Sequence, residues 1–392
     1  MLFVLPDLCP STGGPVTTVL GLARAFTVAG HDATIVATDF GANGFPHVPG
    51  VAVHLFPCLY GPRRWAPQIS GFLRREVHRW DVVSIHTLWQ FTTFAAGFAC
   101  RRARRPYVAT PHGMLDSWSL SQKRRRKQLY LWTVERHTLR GAGGLQATSE
   151  GERAKSRLER WNRSVFVVPW GVPESAYADL PGAGQLARRF PALRGRRLVL
   201  FLGRLHPKKQ PEVALRAFAT VCAGDSSTAL VVVGPGKPQY IVGLKRLARQ
   251  LDISDQVIFT GPLWGDSVRE AYRAAAVFLL PSLQENFGHT VAEAMAAGCP
   301  VIVSDQVDLA PDVRAAHAGL VTPPTAEGTA EALRALLTEE AFREELGRNG
   351  KTLVRERFTW ERVVGELTTV YEDIMTGRRH SPAWQIGPVS GE

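Results

Sequence analysis

The stretch from Ala276 to Asp305 admits few folds. It opens with the apolar run Ala276-Val277-Phe278-Leu279-Leu280, of the length and continuity expected for a strand buried on both faces. The loop Pro281-Ser282-Leu283-Gln284-Glu285-Asn286-Phe287-Gly288 follows. A helix is expected from about His289 to Ala297, closed by Gly298, and a second apolar run begins at Pro300. Strand, loop, helix, strand is the building unit of an α/β sheet, and open sheets of this kind bind ligands at such a loop. The loop carries Glu285 and the helix Glu293, with seven residues between them. Gly288 allows close approach to the backbone, and the helix start offers N–H groups and a positive dipole end to an anion. Taken alone, the two carboxylates fit one loop side chain and one solvated helix side chain equally well.

The alternation recurs along the chain. Strands are expected at Leu2–Leu5, His31–Thr38, Val51–Phe56, Asp81–His86, Pro106–Thr110, Leu145–Thr148 and Val165–Val168, then at Leu198–Leu202, Ala229–Val233 and Val257–Thr260. Helical spacing appears at Val16–Ala29, where Val16, Val19, Leu20, Ala23 and Phe26 share a face, and at Phe91–Arg104. It returns from Pro211, at Lys237–Gln250, Ser267–Ala275, Glu327–Leu337, Glu339–Phe358 and Trp360–Met375. Gly41–Gln68 is rich in Pro and Gly and, beyond its strand, reads as a mobile loop. Asp116–Arg140 reads as one imperfect amphipathic helix, and Ser149-Glu150-Gly151-Glu152 as a structural capping box. The chain therefore divides into an α/β domain over 1–171, a linker over 172–196, a second α/β domain over 197–359, a terminal helix over 360–375 and a patternless, disordered tail over 376–392.

Three further places suit chemistry. Gly13-Gly14, between a strand and a helix, fits a simple turn as well as a ligand loop. His112 lies in Pro111-His112-Gly113-Met114 at the end of a strand, where a loop histidine and a functional one compete as readings. Gly203-Arg204-Leu205-His206-Pro207-Lys208-Lys209 puts cations between a strand end and a helix start, an arrangement suited to a diphosphate, with Arg as a fork and Lys as a point charge. The five cysteines are scattered, no Cys-x-x-Cys or Asp-x-Asp occurs, and neither a metal nor a disulfide framework is expected. No run spans a bilayer, and Met1–Leu5 reads as a first strand, so a cytoplasmic protein is expected.

The formal charge of +12 favours an anionic partner. Two clusters hold much of it, Arg101-Arg102-Ala103-Arg104-Arg105 and Lys123-Arg124-Arg125-Arg126-Lys127. Neither sits in an evident RNA- or DNA-binding motif, so nucleic acid is not the expected partner. The second cluster, interleaved with Tyr130, Trp132, Val134 and Leu139, reads most often as a solvated face, with docking on an anionic membrane surface as the alternative.

The context Pro-Ser-x-x-Glu-Asn-Phe-Gly and Glu-Ala-Met-Ala-x-Gly-x-Pro-Val-Ile resembles the Glu-x7-Glu motif of retaining glycosyltransferase family 4. The resemblance runs from the Gly13-Gly14 loop to the last helix. It implies the GT-B fold: two facing Rossmann-like domains with a cleft between them and a C-terminal helix returning to the first. It implies a nucleotide-sugar donor as substrate, no cofactor and no metal. In donor binding it places Gly13, Gly14, Arg204, Lys209, Glu285, Asn286, Phe287, Gly288 and Glu293, with Glu285 at the sugar, Glu293 at the ribose and Arg204 and Lys209 at the phosphates. His112 is the expected catalytic contribution from the first domain, with Glu285, Arg204 and Lys209 from the second. His86-Thr87-Leu88-Trp89-Gln90 and Pro111-His112-Gly113-Met114-Leu115-Asp116-Ser117-Trp118 resemble a polysaccharide-assembly branch, implying a saccharide or lipid-linked acceptor and work at the inner face of the cytoplasmic membrane. The sequence departs from the family's pattern at Trp170, where Asn is usual, and at Gln210, where Gly is usual. A nucleotide-sugar epimerase of the same fold and a basic nucleic-acid-binding protein are the rival readings.

Overall fold

The computed structural model describes residues 1–9, 13–42, 47–178 and 184–378, with only the backbone at Trp118. The chain forms two compact units, Met1–Gly171 together with the segment from Trp360, and Val172–Thr359.

The first unit is built on a seven-stranded sheet: β1 Leu2–Asp7, β2 Thr34–Thr38, β3 Ala52–Phe56, β4 Val83–His86, β5 Tyr107–Thr110, β6 Gly144–Ala147 and β7 Val165–Val167. The order is β3-β2-β1-β4-β5-β6-β7 and every pair is parallel. Strand order reverses between β1 and β4, which opens a crevice beyond their C-terminal ends. The central strands β1, β4 and β5 are buried along their length, on both faces of the sheet. The helix Trp360–Thr376 belongs to this unit: Val363, Val364, Leu367, Val370 and Tyr371 recur at helical spacing and are buried, with the Tyr371 ring stacked on Phe26 at 6.0 Å. Trp360 seats this helix in a notch made by two glycines. A Cβ on Gly21 or Gly171 would lie 2.6 or 2.4 Å from the indole, so no larger residue fits.

The second unit holds a six-stranded sheet: β8 Arg197–Leu202, β9 Thr228–Val233, β10 Val257–Gly261, β11 Ala275–Leu280, β12 Val301–Ser304 and β13 Gly319–Thr322. Its order, β10-β9-β8-β11-β12-β13, is again all parallel, with the reversal between β8 and β11. Val199, Phe201, Leu230, Val232, Val277, Leu279 and Ile302 form the core of this sheet, covered by Leu215 and Phe218 of the helix Pro211–Cys222 and by Leu333 and Leu336 of the helix Ala326–Thr338. These are two Rossmann-like α/β units, the GT-B architecture expected from the sequence.

Three expectations need correction. Asp116–Arg140 is not one helix: it comprises helices Ser117–Ser121, Arg124–Tyr130 and Arg136–Gly141 around a π-helical turn, Leu131–Glu135. The turn takes the extra residue because Glu135 is drawn inward to bind the backbone of Trp89. The mobile loop after β3 is tied down instead, by the ion pair of Arg64 with buried Asp7, the bridge between Tyr60 and Trp65, and the Trp65 ring against Phe91 at 4.3 Å. The expected linker belongs to the second unit, where the Val172 N–H bonds the Phe358 carbonyl at 2.7 Å and short helices Ser175–Ala178 and Gly184–Arg189 form. At the expected capping box Ser149 Oγ accepts from the Glu152 N–H, and the Glu152 carboxylate also accepts from Thr148 and Gly113. The expected disordered tail lies, from residue 379, outside the described residues, as does part of the loop before Gly13.

Candidate active site

The second unit gathers its chemistry at the β8/β11 reversal. The loop after β8 carries Arg204, Lys208 and Lys209; the loop after β11 carries Glu285. A backbone bond from the Leu283 N–H to the Lys208 carbonyl, 2.9 Å, ties the two loops together. Lys209 Nζ and Glu285 Oε1 form an ion pair, both side chains mostly sheltered at 19% and 14% exposure. Ser282 Oγ donates to the same oxygen at 3.4 Å, and the Glu285 backbone bonds Gln306 and Asp308, so this carboxylate is held from several sides. The β9 loop closes on the β8 loop backbone to backbone: a Cβ at Gly234, where φ is +140°, would lie 1.9 Å from the Gly203 carbonyl oxygen. Lys237 comes with it. His206 feels the result, its pKa lowered first by burial and then by Arg204, Lys208, Lys237 and Lys209. A site with this many converging cations is built for a polyanion.

Gly288, in the left-handed region at φ 80°, caps the helix His289–Ala296. Glu293 lies one turn into that helix. Its Oε2 accepts from the Tyr272 hydroxyl at 2.9 Å, and burial raises its pKa to about 7 against the lowering effect of that bond. His289 sits beside Glu285 and Lys209, and burial pulls it down to about 4. The Phe287 ring is buried edge-on against Phe358 at 5.5 Å and His289 at 5.1 Å, so it anchors the loop and leaves its backbone to face a ligand.

The first unit presents a different surface at its own reversal. His112 follows β5 in the left-handed region, φ 53°, with Gly113 at 67°. The Gly113 N–H donates to buried Glu152, which fixes the turn. The His112 ring stacks on Trp170 at 5.3 Å and 18°, and its Nε2 lies 3.1 Å from Nδ1 of His86 at the end of β4. Thr87 and Trp89 also have positive φ, 70° and 71°, a conformation uncommon for any side chain and strained for a β-branched one. Gly13, at φ 84°, caps the helix Gly14–Val28 without a side-chain partner, and Gly14 opens it.

Comparison with known proteins finds relatives along almost the whole chain. Residues 12–176 match the model of Glycosyltransferase Family 4, and residues 186–353 that of the glycosyl transferases group 1. The chain is 35% identical over 361 residues to the D-inositol 3-phosphate glycosyltransferase of Stackebrandtia nassauensis, covering 85% of this chain and 80% of that one. The chain belongs to the group 1 glycosyltransferases. Solved structures show its GT-B fold as well. Anabaena Alr3699/HepE in complex with UDP-glucose superposes with a TM-score of 0.79 at 18% identity, over 95% of this chain and 99% of that one. WaaG, a glycosyltransferase involved in lipopolysaccharide biosynthesis, superposes with 0.70 at 19%, over 96% and 99%.

In this glycosyltransferase, sequence reasoning brought together Arg204, Lys209, Glu285, Asn286, Gly288 and Glu293, and the structure places them all in the second unit; it places Gly13, Gly14 and His112 in the first. Lys208, Lys237, Tyr272, His86, Trp170 and Glu135 were missed. Lys208 adjoins a named residue and was legible; Tyr272 and Glu135 act through contacts distant in sequence. The two basic clusters also separate. Arg101 bonds the Tyr107 hydroxyl and the His137 carbonyl and Arg105 the His78 carbonyl, so that cluster is partly structural. Lys123, Arg124, Arg125 and Arg126 are exposed, next to exposed Leu129 and Trp132. Among the described residues no helix is long and apolar enough to cross a membrane.

Proposed function

We propose that the chain is a retaining, metal-independent glycosyltransferase that moves a sugar from a nucleotide-sugar donor to a saccharide or lipid-linked saccharide in cell-surface glycan assembly. The observation that carries this reading is the Lys209–Glu285 pair set among Arg204, Lys208 and Lys237 at the β8/β11 reversal. Breaking the anomeric bond puts negative charge on the leaving phosphate and positive charge on the sugar. Arg204 and Lys209 stabilise the phosphate, helped by the helix start after Gly288. Glu285 orients the sugar. With its charge already matched by Lys209, this carboxylate is better suited to accepting sugar hydroxyls than to attacking carbon. In a front-face substitution the acceptor oxygen bonds the anomeric carbon on the side the phosphate leaves, and the acceptor proton passes to the leaving phosphate oxygen. His112 supports the reacting sugar, and Glu293 holds the ribose.

The donor class follows from the cationic loops, and the solved structure of Alr3699/HepE with UDP-glucose supports it. The glycan setting is supported by the role of WaaG in lipopolysaccharide biosynthesis. The exposed run Lys123–Arg126 beside Leu129 and Trp132 supports docking of the first unit on the anionic inner face of the cytoplasmic membrane. Calorimetry against UDP-, GDP- and ADP-sugars, with turnover measured in EDTA, tests the core of this reading. One nucleotide class should bind, and turnover should survive chelation. Loss of binding to the whole panel, or complete loss of turnover restored by Mg²⁺, would contradict it. Replacing Lys123, Arg124, Arg125 and Arg126 with Gln should weaken binding to acidic vesicles and leave donor binding intact; equal binding to neutral and acidic vesicles would remove the membrane from the account.

A further inference from the structure

The motif His86-Thr87-Leu88-Trp89-Gln90 has no part in the chemistry above, yet its first residue touches the catalytic candidate of the first unit. His86 is fully buried at the end of β4. Its Nδ1 lies 3.1 Å from His112 Nε2 and its Nε2 lies 3.0 Å from Ser84 Oγ. Both ring nitrogens are thereby committed, on a rigid central strand. Phe3, with its centroid 6.0 Å away, and Trp170, at 6.1 Å, pack against the same ring, and Trp170 also stacks on His112.

We propose that His86 is the positioning residue of His112, fixing its ring plane and coupling its tautomer to that of His86 for the transfer reaction. This rests on the reading that His112 supports the reacting sugar. The geometry leaves His86 one proton to share along the line Ser84–His86–His112. Burial holds it neutral, at about 3, since two N–H groups facing an imidazole nitrogen and a hydroxyl without water would be costly. Two arrangements satisfy the line. Either the Ser84 O–H donates to His86 Nε2 and His86 Nδ1–H donates to His112 Nε2, or both bonds run the other way. In each, His112 Nε2 is spent on His86, so the ring cannot rotate freely about its own stem. The other titratable group facing the line is Tyr371, from the C-terminal helix. Its buried hydroxyl lies beside Ser84 without a hydrogen bond of ordinary geometry, and burial pushes it up to about 12, so it stays neutral, as His86 does. The left-handed turn at His112 and the Glu152 bond to Gly113 constrain the backbone; His86 constrains the ring.

The experiment compares His86→Phe, which keeps the ring volume and removes both nitrogens, with His86→Asn, whose amide reaches toward the position of Nδ1. The donor is the nucleotide sugar that binds in calorimetry, and the readout is nucleotide release. Phe should lower kcat about 10- to 100-fold with donor KM within about twofold, and Asn should recover most of the loss. In wild-type protein with ¹⁵N-labelled histidine, His86 should stay neutral from pH 5 to 8, with nitrogen–nitrogen coupling across its bond to His112. Wild-type kcat in the Phe variant, equal loss in both variants, or absence of that coupling would overturn the inference. His112→Ala separates the two layers. If it too keeps wild-type kcat, the role of His112 fails; if it is inactive while His86→Phe is fully active, only the positioning role fails.

Discussion

The two units use the same parallel-sheet reversal for opposite chemistry. In the second unit the strand ends collect charge: Arg204, Lys208, Lys209 and Lys237 around His206, with Glu285 paired inside the group. In the first they collect rings and strain: His86, His112 and Trp170, with positive φ at Thr87, Trp89 and His112. A polyanion can be held by charges whose exact orientation is forgiving, because Coulomb attraction falls slowly with distance. A ring that must meet one sugar face needs its orientation fixed, and buried hydrogen bonds and left-handed backbone do that. The comparison teaches that the same sheet reversal can gather charge in one unit and ordered rings in another.

The largest effect is expected on the charged side. Lys209→Met strands the sheltered Glu285 carboxylate and takes a charge from the leaving group. With about 1.5–3 kcal/mol for each lost charged interaction, donor kcat/KM should fall about a thousandfold. Added salt should weaken donor binding to the wild type more than to this variant, while His112 variants keep the wild-type salt slope. Equal salt slopes for Lys209 and His112 variants would erase the contrast between the units.

The next effect probes the neutral side through stability. Glu135 is fully buried, its Oε1 accepting from the Trp89 N–H at 2.6 Å, and burial raises its pKa to about 7. A carboxyl raised in the folded state disfavours ionisation there, so stability falls as pH rises from the unfolded value, near 4.5, through about 7. The loss approaches about 3 kcal/mol above pH 8. Glu135→Gln keeps an acceptor for Trp89 and removes the ionisation. Its urea midpoint should therefore gain on wild type between pH 5.5 and 8.5. Parallel midpoints would show that Glu135 is not held neutral by burial.

How much of this was legible depended on the range of the forces involved. The β11 loop and its helix were readable because apolar run, glycine and helix start lie within one short segment, and the cations after β8 because they adjoin a strand end. Glu135, His86 and Trp170 were not. Their meaning comes from partners distant in sequence: Trp89 for Glu135, His112 for His86, both histidines for Trp170. The broken helix over 116–140 failed for the same reason, since an inward carboxylate overrides helical periodicity. The strand β13, Gly319–Thr322, was not among the expected strands; only Leu320 and Val321 in it are large and apolar.

The smallest effect concerns a contact inside the second unit that resembles the first unit's style. Tyr272→Phe removes the donor to Glu293 and moves its ionisation still higher. Donor KM should rise about two- to tenfold at pH 7 and approach wild type by pH 9, as Glu293 ionises. An unchanged KM–pH profile would detach Tyr272 from the donor site.

Donor-saturation kinetics of Glu285→Gln and Glu293→Gln, with donor affinity from calorimetry, test the central assignment most directly. Glu285, paired with Lys209 at the strand end, is assigned to the reacting sugar, where a carboxylate contact gains strength in the transition state. Its Gln variant should lose about 10- to 100-fold in kcat, at 1.5–3 kcal/mol for a charged hydrogen bond, with donor affinity changed far less. Glu293→Gln should chiefly raise donor KM, because a ribose contact is alike in ground and transition states. Wild-type kcat for Glu285→Gln, or the two profiles interchanged, would contradict the account.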